Sequence, residues 1–219
     1  MGSSLVSVLV LAGIAIFLIL RLRNVLGTRE GFEKPRVDPL NTQADAKAKF
    51  EVIEGGVDHD IVDNVPEGSD AAIALAELKR TEPDFSVIDF LNGASAAYEM
   101  ILMGFENGDL SEVSDFISDD VEEAFQSVID SRKVAGLTVE AQFNGLRETQ
   151  IVAVELDHDA QEEEIKVRFV SEITSVARDT EGAIVEGDPN RPKHQKDIWT
   201  FARPMGSNDP NWQLVATGA

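Results

Sequence analysis

Cysteine is absent from all 219 residues. Disulfide staples, thiolate nucleophiles and cysteine-ligated metal centres are thereby excluded together, and the composition suits a cytoplasmic setting. Basic residues are scarce: 19 Lys and Arg stand against 40 Asp and Glu, for a formal net charge of −21. A surface that acidic repels phosphate backbones, so nucleic acid is not an expected partner and basic protein surfaces are the natural counterpart. Also missing are a Gly-rich phosphate loop after a strand, a Gly-x-Ser-x-Gly elbow and a His-Glu-x-x-His pair. No internal repeat is visible. What is present is 43% apolar and 27% charged residues, enough for one globular domain with a core of its own.

The charge is unevenly placed. Residues 1–36 hold Arg21, Arg23, Arg29, Lys34 and Arg36 against Glu30 and Glu33, a net of +3, which leaves −24 for the remainder. Met1 to Leu20 has no charged side chain, and Leu5, Leu9, Ile14, Phe17 and Leu20 mark a stretch that is apolar all round. Twenty helical residues span about 30 Å, the thickness of a bilayer's hydrocarbon core, and a lone segment in lipid must be helical to satisfy its backbone. Arg21 and Arg23 follow at once, with no basic residue before the stretch. A cleaved signal peptide has the opposite order, basic first and small residues last. The sequence therefore predicts a transmembrane anchor over residues 1–26, crossing once, with the C-terminal side in the cytoplasm.

Residues 27–69 lose regular periodicity, are acidic and are broken by Pro35, Pro39, Gly55, Gly56 and Pro66, which reads as a flexible acidic linker. Val52, Ile53, Val57, Ile61, Val62 and Val65 interrupt it mildly, either as scattered apolar residues or as a segment that folds on a partner. Residues 70–219 then read as one α+β domain, helices first and strands after. Ala71 to Lys79 is a short helix. Ser86 is placed to cap the next one, with Asp89 in its first turn and Phe85 against Phe90 as a staple, and Asn107-Gly108 ends it. Asp109 with Glu112 predicts a short helix through Ile117, and Asp119 with Glu122 another that stops before Gly136.

Beyond Gly136 the period changes to two. Val139-Ala141-Phe143, Val152-Val154-Leu156 and Ile165-Val167-Phe169 read as antiparallel strands, the third extended through Val176 to a turn at Asp179-Gly182. Ile198-Trp199-Thr200-Phe201 and Trp212-Gln213-Leu214-Val215 supply the last two.

Several strings carry a resemblance to a known family. They are Phe90-Leu91-Asn92-Gly93-Ala94, Ala97-Tyr98-Glu99-Met100-Ile101, Ile117-Ser118-Asp119-Asp120-Val121, Val167-Arg168-Phe169-Val170-Ser171-Glu172-Ile173, Glu186-Gly187-Asp188-Pro189, Asp197-Ile198-Trp199-Thr200-Phe201 and Asp209-Pro210-Asn211-Trp212-Gln213-Leu214-Val215-Ala216-Thr217. In this order they resemble the TimA family, bacterial relatives of the mitochondrial import-motor adaptor, with its Tim forty-four-like domain. The resemblance implies a cystatin-like or nuclear-transport-factor-two-like domain with helices packed on a curved antiparallel sheet. It also implies a place at the bacterial inner (plasma) membrane. The role it implies is a non-enzymatic adaptor in protein translocation, insertion or membrane-complex assembly. A membrane complex or translocase, a DnaK-type chaperone and the phospholipid bilayer are the implied partners, and a lipid-contacting accessory subunit is the alternative.

Candidate sites are few. Asp58-His59-Asp60 and Asp157-His158-Asp159 have the residue types of a metal or acid–base pair, but solvated turns explain both, so no metal, cofactor or catalytic group is expected. The fold class does host enzymes built on a carboxylate and a tyrosine, and Tyr98, the sole tyrosine, falls on the predicted core face. Arg191, Lys193 and His194 make a locally basic loop in an acidic domain, read either as a turn or as contact with lipid heads or an acidic partner. Trp199 and Trp212 are candidate interface anchors, with burial in the core as the other reading. Glu140, Glu148, Glu155, Glu162, Glu163 and Glu164 are read as an acidic sheet edge, which either prevents edge pairing or receives a basic targeting sequence or partner.

Overall fold

Ser86 is where the longest of the described helices begins, and its hydroxyl accepts the amide hydrogen of Asp89 at 3.2 Å, as the cap spacing predicted. The computed structural model describes residues 58–207 and 209–218 of the chain. The expected anchor at residues 1–26, with Leu5, Leu9, Ile14, Phe17, Leu20, Arg21 and Arg23, and the linker as far as residue 57 lie outside the described residues. Among the described residues no helix is long and apolar enough to cross a membrane.

Among the described residues, four helices precede five strands. They are α1 (His59–Val62), α2 (Asp70–Thr81), α3 (Val87–Asn107) and α4 (Asp119–Val134), followed by β1 (Thr138–Asp157), β2 (Glu162–Arg178), β3 (Ile184–Gly187), β4 (Lys193–Pro204) and β5 (Gln213–Gly218). The hydroxyl of Ser69 caps α2, and Phe85 sits against Phe90 with ring centroids 6.2 Å apart at the start of α3. Gly108 ends α3 at φ +73°, a left-handed position that glycine takes without the steric cost of a Cβ. Ser118, rather than Asp119, caps α4.

Asp109 to Ile117 forms only a short 3₁₀ turn at Ser114–Phe116, not the helix its acidic spacing suggested. Asp109 spends its carboxylate on the amide of Ser111, and Ile117 bridges to Leu214 on β5, where an extended backbone is needed.

The linker reading also changes. Residues 58–69 are part of the domain: Ile61 on α1 and Val65 in the turn after it, whose amide bonds to the Ile61 carbonyl, are buried in its core.

The sheet is antiparallel in the order β1-β2-β4-β5, with β3 on β2 beyond the end of β4. Strand β2 alternates strictly: Ile165, Val167 and Phe169 are fully buried, while Lys166, Arg168 and Val170 face away. Helices α2 and α3 pack over β1, and α4 lies beside β5. This is an α+β domain with helices on an antiparallel sheet, consistent with the nuclear-transport-factor-two-like arrangement.

The two strands expected between Val139 and Leu156 are one, because bulges at Asn144, Arg147 and Val152 let a single ribbon keep pairing with β2. The last of these turns Val152 outward, 43% exposed, and Ile151 takes the core position instead. Tyr98, Phe169, Phe201 and Leu214 are among the largest fully buried side chains, each contributing about 1.5–3 kcal/mol of burial.

Candidate docking surface and the polar interior

Strand parity decides where each candidate side chain goes. In β4, Trp199 and Phe201 share the inward face with Val167 and Ile165 of β2. Trp199 is 3% exposed, with its ring centroid 4.6 Å from that of Tyr98, so it serves the core and presents no surface to a partner. Trp212 is half-buried beside Phe90, with the guanidinium of Arg203 4.7 Å above its ring. Arg191, Lys193 and His194 are exposed on the β3–β4 loop and the first residues of β4. The structure therefore groups the three loop residues and sets both tryptophans apart from them.

The polar interior contains a tyrosine–carboxylate pair. Tyr98 is fully buried on α3, and its hydroxyl donates to Asp197 Oδ2 at 2.6 Å while lying 2.9 Å from Ser171 Oγ. Phe169 stacks on the tyrosine ring at 4.4 Å. Burial first, and the carboxylate of Asp197 second, push the Tyr98 hydroxyl far above its ordinary range. The hydroxyl is thus saturated by a carboxylate and a serine and roofed by aromatic rings. Such a triad locks α3 to β2 and β4. Nearby, an open groove of about 430 Å³ runs between α3 and the bulged stretch of β1, lined by Ser95, Glu99, Phe143 and Leu146 among others.

A second buried cluster was not foreseen. Glu163 is fully buried, contrary to its reading as part of an acidic edge. It lies two residues before Ile165, so the same alternation that buries Ile165 carries it inside. Arg203 Nε donates to Glu163 Oε1 at 2.8 Å, and the same guanidinium pairs with Glu82. Gly206 N donates to Glu82 Oε1 at 2.8 Å, tying the β4–β5 loop to the end of α2. Burial pushes the Glu163 carboxyl up despite the opposing arginine. Extending the alternation of Ile165-Val167-Phe169 back by two residues was the signal available in the sequence.

Three more of these glutamates are answered by cations from β2. Glu140 pairs with Arg178, Glu148 with Arg168, and Glu155 with Lys166. The histidine triplets are turn and cap residues. Asp157 accepts the amides of Asp159 and Ala160, and Asp58 accepts that of Asp60. His158 reaches Glu77 at 3.1 Å. Among the described residues no group of three His, Cys, Asp or Glu is placed to hold a metal ion.

Ion pairing also singles out the loop. Lys79, Arg132, Lys133, Arg147, Lys166, Arg168, Arg178 and Arg203 each have a carboxylate partner. Among the described residues the cations without one are Arg80, which donates to the carbonyl of Ala76, and Arg191, Lys193 and Lys196.

The Tim44-like domain profile matches residues 71–219. No curated protein matches the chain. Among solved structures, the intermembrane space region of the chloroplast protein ARC6 is similar at 11% identity with a TM-score of 0.40, over 62% of this chain and 97% of that one.

Proposed function

The chain belongs to the Tim44-like domain family, and from that premise we propose that it is a membrane-anchored, non-enzymatic adaptor. It acts in protein translocation, insertion or membrane-complex assembly at the inner membrane, through protein–protein contacts. The observation that carries this reading is the family match across residues 71–219. The saturated Tyr98–Asp197–Ser171 triad supports it, since the groups best suited to acid–base chemistry are committed to joining a helix to the sheet.

In this reading residues 1–26 form the anchor and residues 27–57 the tether, whose flexible reach is about 30 Å. The domain begins where Asp58 and Asp60 engage Lys79. Solubilising the full chain in mild detergent and purifying it by an affinity tag is the test. Stoichiometric subunits of a translocase or another membrane complex are the expected companions. Recovery of the chain alone, or in the carbonate-soluble fraction, would overturn the reading.

A further inference from the structure

The outer edge of β4 is only partly covered. Strand β5 pairs with Ile198 to Ala202, and among the described residues no strand pairs with that edge from Lys193 to Asp197. Beyond the β3–β4 loop, β3 likewise pairs with β2 alone. A row of backbone donors and acceptors is therefore left to solvent, as on any sheet edge. The unpaired cations Arg191, Lys193 and Lys196 all sit along this short stretch, and Ile184, Val185 and Ile198 beside it are 44%, 41% and 36% exposed.

We propose that this edge, Lys193 to Asp197 with the loop before it, docks an extended acidic segment of a partner protein, which adds to β4 as a strand in line with β5. The proposal rests on the adaptor reading and names the chemistry of one partner.

Two physical arguments select this occupant. Lysines on an open edge guard against unwanted strand pairing. They do so against neutral and basic strands, while a strand bearing carboxylates gains both backbone hydrogen bonds and ion pairs there. The acidic groups nearby are already engaged. Asp188 and Asp179 accept turn amides, Glu172 pairs with Arg147 and His194, and Asp197 holds Tyr98. The exceptions are Glu181 and Glu186 on the β2–β3 hairpin, two carboxylates against the three cations that lack an ion pair. An anionic bilayer would also meet the cations, but a plane of charge brings its repulsion to bear on the whole acidic domain. A narrow strand meets the edge alone.

The test uses the full chain in nanodiscs of zwitterionic lipid and three fluorescein-labelled decapeptides. One alternates Glu and Val, one alternates Lys and Val, and one is the Glu–Val peptide with a central proline. The Glu–Val peptide is expected to bind, the Lys–Val peptide not to, and the proline to weaken binding about tenfold by breaking the strand. Lys193→Glu with Lys196→Glu is expected to weaken the Glu–Val peptide at least about tenfold while leaving the melting temperature unchanged. Amide-hydrogen protection on binding should appear at residues 193–197.

Binding that ignores the proline or the charge reversal would overturn the proposal, as would protection appearing elsewhere. Protection of the loop by phosphatidylglycerol vesicles but not by peptide would assign the edge to the bilayer and also overturn it. Failure here together with a co-purifying membrane complex removes the edge and leaves the adaptor reading standing. Peptide binding by a chain that purifies alone removes the adaptor reading instead.

Discussion

Asp60 Oδ2 lies 2.9 Å from Lys79 Nζ, and this contact fixes the start of the folded domain. The same carboxylate accepts the amides of Val87 at 2.7 Å and Ile88 at 3.0 Å, so it caps α3 from outside that helix. Burial raises the Asp60 carboxyl, but Lys79 and the two amides together outweigh it and hold it below its ordinary value. Its stabilising effect is therefore fully present above the usual carboxyl range and is lost as pH falls through the depressed folded value. Asp60→Ala is expected to cost about 1–2 kcal/mol and lower the melting midpoint by about 2–8 °C. Asp60→Asn should flatten the acid limb of a stability–pH curve measured by urea unfolding.

Tyr98 is the sole tyrosine in the chain, so tyrosinate absorbance reports on it alone. With burial and Asp197 both opposing ionisation, no tyrosinate should form near pH 10, where an ordinary tyrosine titrates. The absorbance should rise only together with loss of the native circular dichroism signal. A rise at ordinary pH in a folded protein would show that the hydroxyl is open to solvent. Tyr98→Phe leaves Ser171 and Asp197 short of a partner and is expected to cost about 1–3 kcal/mol.

Much of the fold was legible because local signals agreed with one another. Ser86, Asp89, Phe85 and Phe90 mark the start of α3 by cap, charge and staple at once, and the structure shows all of these contacts. The strand run from Ile165 was legible from alternation alone. The failures share a cause. At Asn144, Arg147 and Val152 one extra residue shifts the register, which a period of two cannot show without the partner strand. Asp60 looked like linker because its role lies with Val87 and Lys79, far along the chain. Glu163 looked exposed because its neighbours Glu162 and Glu164 share its charge, although parity placed it inside. Of the candidate docking residues, Arg191, Lys193 and His194 were visible as a basic loop. The open edge beside them was not, since it depends on where β5 stops pairing.

Glu163 and Arg203 predict a pH response of the opposite sense to that of Asp60. Burial raises the folded-state value of Glu163, so folding takes up a proton between the unfolded and folded values. Stability from this group is greatest below the ordinary glutamate range and declines as pH rises through the raised value. Glu163→Gln should remove that decline at little cost. Arg203→Ala leaves a buried carboxylate without its cation and is expected to cost about 3–5 kcal/mol. Urea unfolding of both variants from about one pH unit below the ordinary carboxyl values to about three units above them would check the pair. Equal losses for the two substitutions would contradict this account.

Gly187 offers a test of the β2–β3 hairpin that holds the basic loop in place. It has φ +84°, and a Cβ added there would lie 2.0 Å from the backbone oxygen of Ser175. No rotamer relieves a clash with backbone, so Gly187→Ala must push β3 away from Val176, its register partner region on β2. Gly182, at φ +81° in the same hairpin, has nothing within 4 Å of the added Cβ. Gly182→Ala therefore carries only the cost of a left-handed alanine, about 1–2 kcal/mol, and serves as the control. Hydrogen exchange should show amides 184–187 losing protection in Gly187→Ala while those of Ile165 to Phe169 keep theirs, because β3 is a short strand at the margin of the sheet. If both alanine variants behave alike, the close approach of Gly187 to Ser175 is not what constrains the hairpin. If protection collapses across β2 as well, the hairpin and the main sheet unfold as one unit.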